Sequence, residues 1–385
     1  MVKVAFLINS MAGGGAERVV SILLNNLSRE NREFFLIVLE DKFYYDLPYD
    51  VKVFKLFKNL ESNSQKFLVL FSGARFLKKI VQENNIDIVV SFLGRSNYIN
   101  IMAKSAGHKA YISERVDPSQ MHSFGGTGII NKIFTKRLYK KADLIFTNSL
   151  GTKESLSRDF GVDSNKIKVI YNLIDLEKIQ NLCHNNLEPE YQEIFKHPVI
   201  INIGRLTKQK GQEYLIRAFK QIREREGNGG LTPASLRGSD PRQAKLVILG
   251  EGELEKDLKN LTEKLGLEND VFFLGWQKNP FRFLSRAKVF VLSSLWEGLP
   301  NTLIEALACG CPAVSTDCPS GPNEIIDNEK NGFLIPVKDE KALSQAIIKI
   351  LRNPDLANQF SRGGEKKARD FSIENIINQY ERIIQ

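Results

Sequence analysis

Apolar residues come in short runs with helix-period segments between them. Val2–Ile8 reads as a first buried strand, and Phe34–Leu39, Val51–Phe54, Ile86–Phe92, Ala110–Ser113 and Leu144–Asn148 as further strands. A second set follows at Pro198–Gly204, Leu246–Gly252, Val271–Gly275, Val289–Leu292 and Ala313–Ser315. Strands alternating with helices imply parallel sheets with helices on their faces. The polar stretch Asn181–Pro198 reads as a linker, and 385 residues suit two domains. Helices are expected at Ala16–Leu27, Gln212–Arg225, Ala342–Leu351, Leu356–Asp370 and Ile373–Ile384. Gly227–Gln243, rich in Gly, Pro and Ser, reads as a mobile excursion with no assigned function.

The strongest chemical signal is Val289–Pro312. The apolar run ends at Ser293-Ser294, a loop carries Glu297 and Gly298, and a helix opening at Pro300-Asn301 holds Glu305 and stops at Gly310. In a parallel sheet the carboxyl end of a strand faces the ligand crevice, and free amides at the next helix start hold anions. Two acids beside such a terminus suit a hydroxyl-rich ligand that also carries phosphate, as a nucleotide sugar does. Two solvated surface acids would give the same pattern.

Gly204-Arg205-Leu206 ends another strand and Lys210-Gly211 precedes the next helix, so two cations also stand at a crevice edge and can bracket a diphosphate without a metal; a salt-bridged surface loop would give the same pattern. Neither His-Glu-x-x-His nor Asp-x-Asp occurs, and no metal or cofactor is expected. At the first strand end, Gly13 and Gly15 are followed by Arg18 where a dinucleotide fingerprint wants its third glycine, which argues against an NAD site.

E-G-L-P-N-T-L-I-E, G-R-L-x-x-x-K-G, G-G-A-E-R and the closing G-P-N-E-I-I stand in the order found in retaining glycosyltransferases of family 4, which the whole chain resembles. The resemblance implies the GT-B fold: two Rossmann-like α/β domains facing a central cleft. Residues 1–180 would bind acceptor, 198–365 would bind nucleotide sugar, and 366–385 would return to the first domain.

It further implies that Arg205 and Lys210 neutralise the donor diphosphate together with amides near Asn301, Thr302 and Leu303. Glu297 would hold the transferred sugar, Glu305 the ribose, and Gly14 and Gly15 would let backbone approach the phosphates. Relatives often read S-E-H where this chain has Ser113-Glu114-Arg115, so a family histidine does not carry over. Arg115 cannot act as a base near neutrality but can hold a phosphate or simply pair Glu114 or Asp117.

The likeness is nearest to bacterial enzymes that add hexose or N-acetylhexosamine to lipid-linked oligosaccharides. It implies a UDP-linked donor and an isoprenoid-diphosphate-linked acceptor. A soluble acceptor, or a binding protein without turnover, are the alternatives.

Charge bears on the acceptor. The formal net charge is +9, and between Lys66 and Lys141 thirteen Lys and Arg face four acids. Lys132, Lys136 and Lys140 recur at spacing four, with Ile130, Phe134 and Leu138 on the other side of the wheel. A solvated face and an anionic membrane surface both fit; nucleic acid fits poorly, since no reading motif accompanies the basic residues. Val4–Ile8 and Phe67–Phe71 are too short to cross a bilayer, and Val4–Ile8 is too short for a secretory segment. Four cysteines without nearby histidine suit buried thiols in a reducing compartment. The expected location is cytoplasmic, peripheral at the inner membrane face.

Overall fold

The computed structural model describes residues 1–12, 14–57, 63–117, 128–224 and 239–385, with only the helical backbone at 63–68 and 128–131. Gly13, Pro118, residues 227–238 of the Gly/Pro/Ser stretch, and the side chains of Lys66, Phe67 and Ile130 lie outside the described residues. The chain forms two units, Met1–Ile174 with Ile373–Gln385, and Asp175–Ser372.

The first unit holds strands β1 (Val2–Ile8), β2 (Arg32–Glu40), β3 (Lys52–Phe57), β4 (Ile88–Phe92), β5 (Lys109–Glu114), β6 (Leu144–Thr147) and β7 (Ile167–Val169). They lie in the order β3-β2-β1-β4-β5-β6-β7, with every pairing parallel. Continuous apolar runs such as Val4–Ile8 are buried because helices cover both faces. The strand period of two then divides them: Ala5, Leu7, Phe35 and Ile37 enter one core cluster, and Val4, Phe6, Ile8, Phe34, Leu36 and Val38 the other. Each buried Phe or Leu contributes about 1.5–3 kcal/mol. The final helix, Ile373–Glu381, closes the second of these clusters through Ile376 and Tyr380, and Glu381 Oε1 accepts the Ser28 amide at 2.9 Å.

The second unit holds β8 (Val199–Ile203), β9 (Lys245–Leu249), β10 (Val271–Phe273), β11 (Val289–Leu292), β12 (Ala313–Thr316) and β13 (Gly332–Ile335). Their order is β10-β9-β8-β11-β12-β13, again all parallel. In both sheets the strand order reverses beside the first strand, between β1 and β4 and between β8 and β11. Connections leave in opposite directions at such a point and open a crevice at the carboxyl ends.

One expectation is corrected here. Asn181–Pro198 is not a bare linker: the second unit starts at Asp175, whose side chain caps the helix Leu176–Cys183. Short helices follow at Pro189–Gln192 and Ile194–Lys196, where Tyr191 and Phe195 pack their rings on Phe283. Polar composition hid the two aromatic anchors that hold this stretch down.

Candidate active site

The two loops at the crevice of the second sheet are laced to each other. After β8 the chain runs through Arg205 and a 3-10 turn at Lys208–Lys210, and reverses at Gly211, where φ is +59° and a Cβ would stand 2.4 Å from the Ser293 carbonyl oxygen. Only glycine tolerates that backbone and that approach. Ser293 Oγ donates to the Lys210 carbonyl at 2.9 Å, the Leu295 amide to that of Gln209 at 2.8 Å, and Gln209 Nε2 to that of Trp296 at 2.9 Å. From the β12 side, Thr316 Oγ1 donates to the Ser294 carbonyl at 2.6 Å. The loop bearing Glu297 is thus held by its neighbours on both strands.

This lacing brings Lys210 Nζ within 2.6 Å of Glu297 Oε1, which also accepts Ser294 Oγ at 2.6 Å. The two side chains retain only 16% and 8% of their exposure, so the pair is largely desolvated. Arg205 stands at the same strand end but is exposed, and its guanidinium makes no hydrogen bond or ion pair with any described residue. The helix Asn301–Ala308 opens at Pro300 with no side-chain cap. Asn301 and Thr302 at its start are half-buried and Leu303 is buried. Glu305, one turn inside, is buried too. An uncommitted guanidinium, a lysine already countered by a carboxylate, and an uncapped helix start can together receive a polyanion.

The remaining expected site residues belong to the first unit. Gly14 precedes the helix Gly15–Asn26, and a Cβ on it would meet Glu17 Oε2 at 2.3 Å. Glu114 and Arg115 close β5 and both are buried. Arg115 turns inward: its guanidinium reaches Ser113 Oγ and Tyr380 Oη, each at 3.5 Å, and lies 5.4 Å from the centre of the Phe92 ring. Pairing with Glu114 or Asp117 is not what holds it. Its Nη2 is buried without a hydrogen-bond partner among the described residues.

Sequence reasoning missed the polar network behind this strand end. Tyr139 Oη donates to Glu114 Oε2 at 2.6 Å, Asn97 Nδ2 donates to the Ser113 carbonyl at 3.0 Å, and Ser91 Oγ donates to Asn97 Oδ1 at 2.9 Å. Each group looks like an ordinary polar residue in sequence, and only the fold buries them together. Burial raises the Glu114 carboxyl from 4.5 to about 7 against the hydrogen bond from Tyr139. The folded state therefore holds this proton more tightly than the unfolded chain. Its stabilising effect is complete below about pH 4.5 and is lost as pH rises to about 7. Relative to Glu114→Gln, the wild type should lose roughly 3 kcal/mol of stability across that window. Chemical denaturation of both proteins at a series of pH values checks this, and parallel curves would refute it.

The chain matches the family profile described as glycosyl transferases group 1 over residues 186–367, and that described as Glycosyltransferase Family 4 over residues 13–178. It is 34% identical, over 96% of both chains, to N-acetylgalactosamine-N,N'-diacetylbacillosaminyl-diphospho-undecaprenol 4-alpha-N-acetylgalactosaminyltransferase of Campylobacter jejuni. The chain belongs to glycosyltransferase family 4. A glycosyltransferase of Methanocaldococcus jannaschii, itself uncharacterized, is 36% identical over 80% of this chain and 81% of its own. Among solved structures, sucrose-phosphate synthase of Thermosynechococcus elongatus superposes with a TM-score of 0.81 at 17% identity, covering 100% of this chain and 98% of the other. Anabaena HepE in complex with UDP superposes at 0.75 and 21% identity, covering 100% and 99%. These likenesses show the GT-B fold, two parallel-sheet α/β domains, as the motif order implied.

Proposed function

We propose that this glycosyltransferase moves a hexose or N-acetylhexosamine from a UDP-sugar, with retention at the anomeric carbon, to an undecaprenol-diphosphate-linked glycan. The observation that carries the donor side is the Lys210–Glu297 pair, placed beside the uncommitted Arg205 and the open start of helix Asn301–Ala308. Charge develops on the departing diphosphate in the transition state, where Arg205, Lys210 and the amides at Asn301–Leu303 offset it. Glu297 accepts hydrogen bonds from hydroxyls of the transferred sugar, and Glu305 accepts them from the ribose. Fixed cations supply the electrophilic role at the diphosphate, so transfer is metal-independent and survives EDTA.

The acceptor side draws support from the Campylobacter relative and from the 33% identity, over 51% of this chain, to an Escherichia coli UDP-Gal:alpha-D-GlcNAc-diphosphoundecaprenol alpha-1,3-galactosyltransferase. Nucleotide sugars tested singly for hydrolysis and thermal stabilisation identify the donor, and the anomeric configuration of the product by NMR tests retention. An inverted product would overturn the stereochemical part, and turnover only with soluble glycans the lipid part.

Among the described residues no helix is long and apolar enough to cross a membrane. In this proposal the enzyme meets its lipid acceptor at the membrane surface. Lys132, Lys136 and Lys140 are exposed. Phe134 and Leu138 pack against the core, which leaves the basic face to act by charge. Each Lys near an anionic surface contributes about 1 kcal/mol. Reversing all three to Glu should lower binding to anionic liposomes by over about 100-fold, and salt at about 0.5 M should have a similar effect on the wild type. Co-sedimentation that ignores lipid charge and this triple change would remove the membrane surface from the proposal.

A further inference from the structure

Two of the four cysteines fit the expectation of inert buried thiols. Cys311 and Cys318 retain 2% and 1% exposure, and burial raises both thiols, that of Cys311 to about 12. The other two do not fit it. Cys183 ends the helix Leu176–Cys183, Cys309 caps the C-terminus of helix Asn301–Ala308, and both remain partly solvent-accessible. Their sulfur atoms lie 3.1 Å apart in a thiol–thiol hydrogen bond although 126 positions separate them in sequence.

The surroundings make the two sulfurs unequal. The Cys183 thiol is lowered by its hydrogen bond to Cys309 and by the nearby Arg286 guanidinium, whose Nη1 donates to the Cys183 carbonyl at 3.2 Å. Cys309 is raised by the bond to Cys183, by burial and by the negative charge of Glu305. One sulfur is therefore the better nucleophile and its neighbour the resolving thiol, as in redox-active pairs. The amide of Cys309 also closes the last helical turn on the Glu305 carbonyl at 3.1 Å, so the pair sits at the far end of the helix that carries the donor-site residues.

We propose that Cys183 and Cys309 form a reversible dithiol–disulfide site that reacts with low-molecular-weight disulfides of the glutathione class, and that its oxidised form pins helix Asn301–Ala308 to helix Leu176–Cys183. The Cys183 thiolate attacks one sulfur of the small disulfide, giving a mixed disulfide and releasing one thiolate, which takes up a proton. Cys309 then loses its proton to solvent and attacks the Cys183 sulfur, expelling the second small thiol. Two protein thiols are oxidised and one small disulfide is reduced to two thiols, so electrons and protons balance. The sulfurs close from 3.1 Å to about 2.05 Å, the length of a disulfide bond.

The test uses the reduced full-length protein in a graded mixture of glutathione and glutathione disulfide, quenched by alkylation and mapped by mass spectrometry. The expected product carries one Cys183–Cys309 link, leaves Cys311 and Cys318 alkylated only after denaturation, and melts about 5–10 °C higher, since the bond closes a long loop. Dithiothreitol should reverse both changes. In Cys309→Ser the mixed disulfide should persist on Cys183 without the rise in melting temperature, and in Cys183→Ser Cys309 should stay reduced. A link that forms only in denaturant, or a wild type that accumulates the mixed disulfide unresolved, would overturn the proposal. These readouts do not depend on transferase activity, so failure here is distinct from failure of the proposed reaction.

Discussion

Arg205→Ala and Lys210→Ala should each slow sugar transfer by about two to three orders of magnitude, because each removes a cation from a charge that grows in the transition state. Losing one side of a desolvated charge contact costs about 2–5 kcal/mol, and each 1.36 kcal/mol is a factor of ten in rate. The two variants should nevertheless differ in stability. Arg205 is exposed and its guanidinium makes no bond to a described residue, so truncating it should leave the melting curve within about 0.5 kcal/mol of wild type. Lys210 is the ion-pair partner of Glu297, and truncating it leaves a carboxylate with 8% exposure relying on Ser294. Breaking a buried pair from one side costs about 3–5 kcal/mol; partial exposure of Lys210 puts the expected loss at the lower end. Turnover and denaturation measured on the same preparations decide it. Near-normal rates in either variant would remove that residue from the clamp, and equal stabilities would show that the ion pair is not formed in solution.

Much of this arrangement could be read along the chain because its parts are local. The apolar runs ending at Ile203 and Leu292 locate β8 and β11, and their helical successors make the sheet parallel. Parallel order then places Arg205, Lys210 and Glu297 at neighbouring carboxyl ends. What stayed hidden depends on residues far apart in sequence. Glu297 pairs with a lysine 87 positions away, and the choice of Ser294 over Ser293 as its hydroxyl donor follows from which side of the strand end each faces. Arg115 turns inward because Tyr380, 265 positions later, lies over the strand end on the final helix. Cys183 and Cys309 depart from the expectation of buried thiols for the same reason: composition counts thiols but cannot say that two of them touch.

Glu297→Gln and Glu305→Gln should fail in opposite ways, and the ion pair sharpens the contrast. In the unliganded protein Lys210 is bound to Glu297, so an incoming diphosphate must compete for that ammonium group. Replacing Glu297 by the neutral, similarly sized Gln removes the competitor. The bare nucleoside diphosphate should then bind at least as tightly as to wild type. Sugar transfer should still fall by about two to three orders of magnitude, since Gln is a weaker acceptor for the sugar hydroxyls whose hydrogen bonds strengthen in the transition state. Glu305 offers no such release. It is buried one turn inside the helix, and its loss as a charged acceptor should weaken the nucleoside diphosphate itself by about 1.5–3 kcal/mol, or roughly 10- to 100-fold in Kd. Isothermal titration with UDP compares the two directly. Equal losses of affinity would show that the acids do not divide the ligand between ribose and sugar. A loss confined to Glu297→Gln would mean that this carboxylate orients Lys210 towards the phosphates rather than holding the sugar.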